Sequence, residues 1–155
     1  MSTNPFSGAF PHQHHDPRGL GERIEAQLRE RIEEAVEMAG LKLMVDLRER
    51  HHRPAPETSS DADRREFEQI STDLLKRIRD AFRAELGPEA RAEMDAAEAG
   101  VQGDRASALA GHVFLARRLP DYWQRFEAHQ TTYARQQLEA PPGPRRGWLG
   151  RLFSE

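Results

Sequence analysis

Residues 20–47, "LGERIEAQLRERIEEAVEMAGLKLMVDL", carry the pattern that decides the fold class. Apolar residues recur there at steps of three and four, which places them on one face of an α-helix, opposite a face rich in glutamate and arginine. They are Leu20, Ile24, Leu28, Ile32, Val36, Ala39, Leu43 and Leu47. The stretch predicts one long amphipathic helix that packs against other elements, with Gly40 as a weak point where it can bend.

The second half of this helix carries more apolar residues than a single packed face needs. Met38, Leu41, Met44 and Val45 widen the apolar set. We expect this half to be enclosed more completely, either by other helices or by a second copy of the chain. These four side chains are therefore the candidate core or oligomer surface.

Four further helices are predicted downstream. Pro54 and Pro56 interrupt the first pattern, and Ser60 can cap a second helix from about Asp61 to Leu86. Gly87 and Pro88 end that helix, and residues 88–99 predict a short surface helix anchored by Met94. Asp104 is the predicted cap of a fourth helix, and Pro120 suits the first turn of a fifth. The fifth helix spaces Tyr122, Trp123, Phe126, His129, Tyr133 and Leu138 at steps that favour core packing.

The predicted fold class is all-α. Four main helices and one short helix form an up-and-down bundle or a helical hairpin assembly over residues 18–140. Residues 1–17 are expected to be a flexible arm, residues 141–147 a proline- and glycine-rich linker, and residues 148–155 a short amphipathic tail.

Composition narrows the classes of function. The formal charge is −3 and the two signs alternate along the chain, which disfavours a nucleic-acid partner. The chain has no cysteine, so thiolate metal sites and cysteine nucleophiles are excluded. We find no basic and apolar leader and no apolar run long enough to span a bilayer. We expect a cytoplasmic protein, either free or held at the inner face of the membrane.

No catalytic signature is present in the sequence. A di-iron bundle needs two Glu-x-x-His pairs, and only Glu49 and His52 match, beside Pro54. The clusters His12–His15 and His51–His52 fall in segments predicted to lack fixed geometry, which favours adventitious metal affinity. His112 and His129 are expected to be packing histidines. Neither a nucleophile elbow nor a phosphate-binding loop occurs, so no catalytic residue, metal site or cofactor is predicted.

The end of the sequence carries the clearest functional signal. In a helix over residues 147–154, Trp148, Leu149, Leu152 and Phe153 would form one apolar strip bordered by Arg145, Arg146 and Arg151. So short a helix is marginal alone in water, so it should fold only against another surface. Three surfaces fit: a membrane, a groove in a partner protein, and the chain's own bundle.

The residues "GWLGRLFS", 147–154, resemble the C-terminal membrane-targeting segments of bacterial division-site ATPases. The resemblance covers this tail alone and implies membrane attachment. It does not extend to ATPase activity, because the remainder of the chain has no nucleotide-binding motif.

The sequence thus favours a non-enzymatic helical adaptor or scaffold, forming a homo-oligomer and attached through its tail to a membrane surface or an unidentified protein. Two alternatives stay open at this level. One is a metal-binding or enzymatic bundle that uses histidine and glutamate side chains. The other is a cargo or client protein whose tail docks in a protein groove.

Overall fold

The structure is a computed structural model that describes residues 17–141. It contains five helices: α1 (Pro17–Arg50), α2 (Asp61–Glu85), α3 (Pro88–Ala99), α4 (Asp104–Arg118) and α5 (Tyr122–Glu139). The described part of the chain has no strand, and the all-α prediction is confirmed. None of these helices is long and apolar enough to cross a bilayer.

Ion pairs between consecutive helices give the up-and-down topology. Arg48 near the end of α1 pairs with Asp63 at the start of α2, and Arg83 near the end of α2 pairs with Asp95 in α3. Arg118 at the end of α4 pairs with Glu93 in α3. α5 returns beside α2, where Arg125 pairs with Glu85. These pairs place α2 antiparallel to α1, α3 to α2 and α4 to α3, and they place α5 antiparallel to α2.

The core lies between α1, α2, α4 and α5, and α3 covers it through the fully buried Met94. The core side chains are Ile32, Val36, Ala39, Leu43, Leu74, Leu75, Ile78, Phe82, Met94, Ala108, Leu109, Val113, Leu115, Tyr122 and Phe126. Most of them come from the positions that the helical periodicity places on one face. The predicted role of Met94 as the anchor of a short surface helix is also confirmed.

The N-terminal end of α1 departs from the prediction. Leu20 and Ile24 were expected to pack with the other residues of the first apolar face, but they are 50% and 43% exposed. Arg117, one residue before the end of α4, pairs with Glu25 at 2.9 Å. The residues before Glu25 therefore lie at the edge of the bundle, where α4 no longer covers them.

Helix boundaries confirm one predicted cap, correct another and move the predicted first turn of α5. The hydroxyl oxygen of Ser60 accepts a hydrogen bond from the backbone N–H of Asp63 at 3.2 Å, so Ser60 caps α2 as predicted. Asp104 is not the cap of α4. Gly103 holds that position at φ 98°, a conformation that favours glycine, and Asp104 lies inside the first turn. Pro120 precedes α5, which begins at Tyr122 after Asp121.

Gly40 acts through packing and leaves α1 uninterrupted from Pro17 to Arg50. A Cβ atom at this position would lie 3.0 Å from the Cβ of Ser71 in α2 and 3.2 Å from its Cα. The missing side chain lets the two helices approach closely. Gly40 is thus a contact point between α1 and α2, and a bend at this position stays a prediction.

Candidate functional site

The exposed apolar side chains on α1 are the first candidate site. Met38, Leu41 and Val45 are 74%, 49% and 40% exposed, whereas Met44 is buried. Within one chain the other helices therefore enclose only Met44 of these four residues, and enclosure of the other three by a second copy stays a prediction. The three exposed side chains follow one another at steps of three and four residues, so they share one side of α1. We call Met38, Leu41 and Val45 the α1 apolar surface.

A groove of about 540 Å³ adjoins this surface. Leu41, Met44 and Val45 form its α1 wall, and Phe67 forms its α2 wall. Ala55, Pro56 and Thr58 close it from the loop between the two helices. The lining is mostly apolar, as in sites that accept large apolar side chains.

A buried arginine holds the loop that closes this groove. Arg48 is 5% exposed, and its guanidinium donates to Asp63 at 2.8 Å, to Glu66 at 2.8 Å and to the carbonyl of Pro54 at 3.3 Å. The hydrogen bond from Arg48 and one from the backbone N–H of Glu57 lower the pKa of the Asp63 carboxyl. The Asp63 hydrogen bond in turn raises the pKa of Arg48. This network fixes residues 54–57 against both helices.

Sequence reasoning missed this network, although a signal exists. Arg48 follows Met44 by one helical turn, and its neighbours four residues away are Met44 and His52, so α1 offers it no carboxylate partner at that spacing. An arginine that continues an apolar side of a helix without a local partner points to an acidic group on another element. Here that element is the start of α2.

A second polar network is enclosed in the core. His112 Nε2 lies 2.9 Å from the carbonyl oxygen of Leu75, and Nδ1 lies 2.7 Å from the hydroxyl of Tyr122. A carbonyl only accepts, so Nε2 carries the proton and Nδ1 accepts from the tyrosine hydroxyl. Burial lowers the pKa of His112 to about 4 and raises the pKa of Tyr122.

These contacts make His112 the packing histidine that the sequence predicted. It joins α2, α4 and α5, and its ring packs edge-on against Phe82 at 6.2 Å and Phe126 at 5.8 Å. His112 and Tyr122 are 0% and 1% exposed, so a substrate cannot reach them without opening the core. His129 also packs on Phe82, with ring centroids 4.8 Å apart, and lies 3.3 Å from Glu85.

The other predicted positions divide between described and undescribed parts of the chain. Glu49, His51 and His52 lie at the end of α1 and in the loop after it. Within residues 17–141 no three histidine, aspartate or glutamate side chains are grouped as a metal site would require. His12 to His15 and all seven predicted attachment residues lie outside the described residues; the latter are Arg145, Arg146, Trp148, Leu149, Arg151, Leu152 and Phe153.

Comparison with known proteins gives no match: no protein family, no curated protein and no solved structure is significantly similar to this chain. Function is therefore inferred from the residues of this chain and their geometry.

Proposed function

We propose that this protein is a non-enzymatic helical adaptor that attaches to a membrane surface through its C-terminal segment, residues 145–155, and contacts other copies of itself through the α1 apolar surface. The observation that carries the proposal is the exposure of Met38, Leu41 and Val45 on a bundle whose core is otherwise closed. A monomer gains nothing from large apolar side chains in water, and contiguous exposed apolar residues mark interaction surfaces.

The chemistry of the C-terminal segment favours a lipid surface. Trp148 suits the interface between headgroups and acyl chains, and each arginine contributes roughly 1 kcal/mol near an anionic surface. Four apolar side chains add about 1.5–3 kcal/mol each when fully buried. The cost of ordering the segment offsets much of this gain. One copy should therefore bind reversibly, and several associated copies should bind more tightly through avidity.

Membrane attachment through the C-terminal segment would favour self-association through the α1 apolar surface. The α1 apolar surface spans about two helical turns, which is small for a stable dimer in solution. Copies concentrated on a membrane need far less interface area to associate. Membrane attachment would thus promote self-association at the inner face of the cell membrane.

Co-sedimentation with liposomes tests the attachment. We expect the full chain to sediment with anionic vesicles and much less with neutral vesicles, because both lipid charge and apolar burial contribute. A truncation after Pro144 should stay in the supernatant. Leu152→Glu should release the protein, while Ser154→Glu, which adds the same charge beside the apolar strip, should retain most of the binding. Equal sedimentation of the full and truncated chains would reject the membrane function.

A further inference from the structure

The α1 apolar surface matches a short segment better than a whole protein surface. Met38 to Val45 covers eight residues, about 10 Å along α1. A stable dimer buries about 800 Å² and 20–30 residues on each side, far more than this. The adjoining groove beside Phe67 offers one more site for a large apolar side chain. An occupant with three or four apolar side chains within two helical turns fits these dimensions.

The acidic residues around the α1 apolar surface favour a basic occupant. Glu34, Glu37 and Glu49 are exposed and lie one turn from Met38, Leu41 and Val45, respectively. None of the three forms an ion pair within residues 17–141. The two nearest cations are already paired: Lys42 with Asp46 at 2.9 Å, and Arg64, which lines the adjoining groove, with Asp61. The border of the α1 apolar surface is therefore negative.

The C-terminal segment carries the complementary chemistry. Residues 145–155 contain Arg145, Arg146 and Arg151 against Glu155, a formal charge of +2. The whole chain carries −3, so the remaining residues carry −5. The same segment supplies the four apolar side chains, Trp148, Leu149, Leu152 and Phe153, within six positions. Apolar content and charge both fit the α1 apolar surface.

The segment also starts close enough to reach it. Leu138 and Glu139 near the end of α5 share a surface groove with Asp46 and Arg50 of α1. Trp148 follows Pro141 by seven residues, which span at most about 23–25 Å. Half the circumference of a helix about 11 Å wide measures roughly 17 Å. The chain can therefore pass around α1 to the apolar surface without any change in the bundle.

We propose that the C-terminal segment, residues 145–155, docks on the α1 apolar surface of its own chain when no membrane is present. The apolar side chains of the segment cover Met38, Leu41 and Val45, and its arginines face Glu34, Glu37 and Glu49. Docking on α1 and insertion into lipid use the same four side chains and exclude each other. Membrane binding therefore uncovers the α1 apolar surface, a consequence that rests on the proposed function.

Tryptophan fluorescence tests the docking in the full chain. The protein has two tryptophans, so Trp123→Phe leaves Trp148 as the single reporter. We expect blue-shifted emission and slow acrylamide quenching in this background. Adding Leu41→Glu should shift the emission to the red and raise the quenching constant severalfold. Leu20→Glu is the matched control, because Leu20 is 50% exposed on the same helix but far from the α1 apolar surface.

Circular dichroism establishes that each variant keeps its helical content. Emission from Trp148 typical of water in the Trp123→Phe protein would overturn the docking, as would equal responses to Leu41→Glu and Leu20→Glu. Emission that shifts to the red on dilution would replace docking within one chain by docking between copies.

Liposome binding separates the docking proposal from the membrane-attachment proposal. A docked Trp148 without membrane binding rejects only the attachment, and membrane binding with a solvated Trp148 rejects only the docking.

Discussion

His112 makes the stability of this bundle sensitive to pH at the level of one residue. Its pKa is lowered to about 4 by burial, whereas an unfolded histidine has a pKa near 6.5. As pH falls below about 6.5, His112 binds a proton in the unfolded chain but stays neutral in the folded chain. The free energy of unfolding should therefore decrease between pH 6.5 and 4, by about 3 kcal/mol in total, and this contribution levels off below pH 4.

Urea unfolding at several pH values measures this loss, with His112→Gln as the test variant. The variant will be less stable overall, because it loses contacts to Leu75 and Tyr122. Its stability should nevertheless fall less steeply between pH 6.5 and 4. Losses from Asp63 and Asp95, whose pKa values are lowered by hydrogen bonds from Arg48 and Arg83, are common to both proteins. Parallel curves for wild type and variant would contradict the buried neutral histidine.

At the level of the helices, two glycines of α1 should respond in opposite ways to the same substitution. Ala at position 40 gains up to about 1 kcal/mol in helix propensity, but its Cβ would lie 3.0 Å from Ser71 Cβ. Separating two packed helices costs more than this gain, so Gly40→Ala should destabilise the bundle by about 1–2 kcal/mol. A Cβ atom added at Gly21 would have no neighbouring atom within 4 Å, so Gly21→Ala should be neutral or stabilising. Thermal unfolding compares the two, and a stabilised Gly40→Ala protein would refute the close approach.

The helices themselves were predictable because their signals are local. Three- and four-residue spacing, the Ser60 cap and the Pro88 start depend only on neighbours in the sequence, and the structure confirms them. The exposure of Leu41 beside the burial of Met44 was not predictable in this way. Both are apolar positions of α1, and the difference is set by where α2 lies and by the 54–57 loop that Arg48 holds. The contact between His112 and Tyr122 likewise depends on how α4 meets α5.

For the whole molecule, the distribution of apolar and charged residues separates a closed core from the exposed α1 apolar surface. The core is sealed around Phe82, Tyr122 and Phe126, with the polar atoms of His112 satisfied inside it. The α1 apolar surface lies outside this core, bordered by glutamates that form no ion pair within the described residues. Its exposure contributes nothing to the stability of the monomer. We propose that a covering group, either the C-terminal segment or another copy, shields these large apolar residues.

If the C-terminal segment and another copy compete for the α1 apolar surface, self-association should depend on the membrane. The chain has no cysteine, so Met38→Cys introduces a single thiol on the α1 apolar surface. In solution the docked segment should shield this thiol, and a short bifunctional thiol reagent should yield little dimer. Anionic liposomes should raise the dimer yield severalfold, because the segment inserts into lipid and copies meet through the uncovered surface. Leu20→Cys is the control, since membrane crowding alone would raise dimer formation at both positions. Equal yields from the two variants, or the same yield from Met38→Cys with and without liposomes, would show that membrane binding does not uncover this surface.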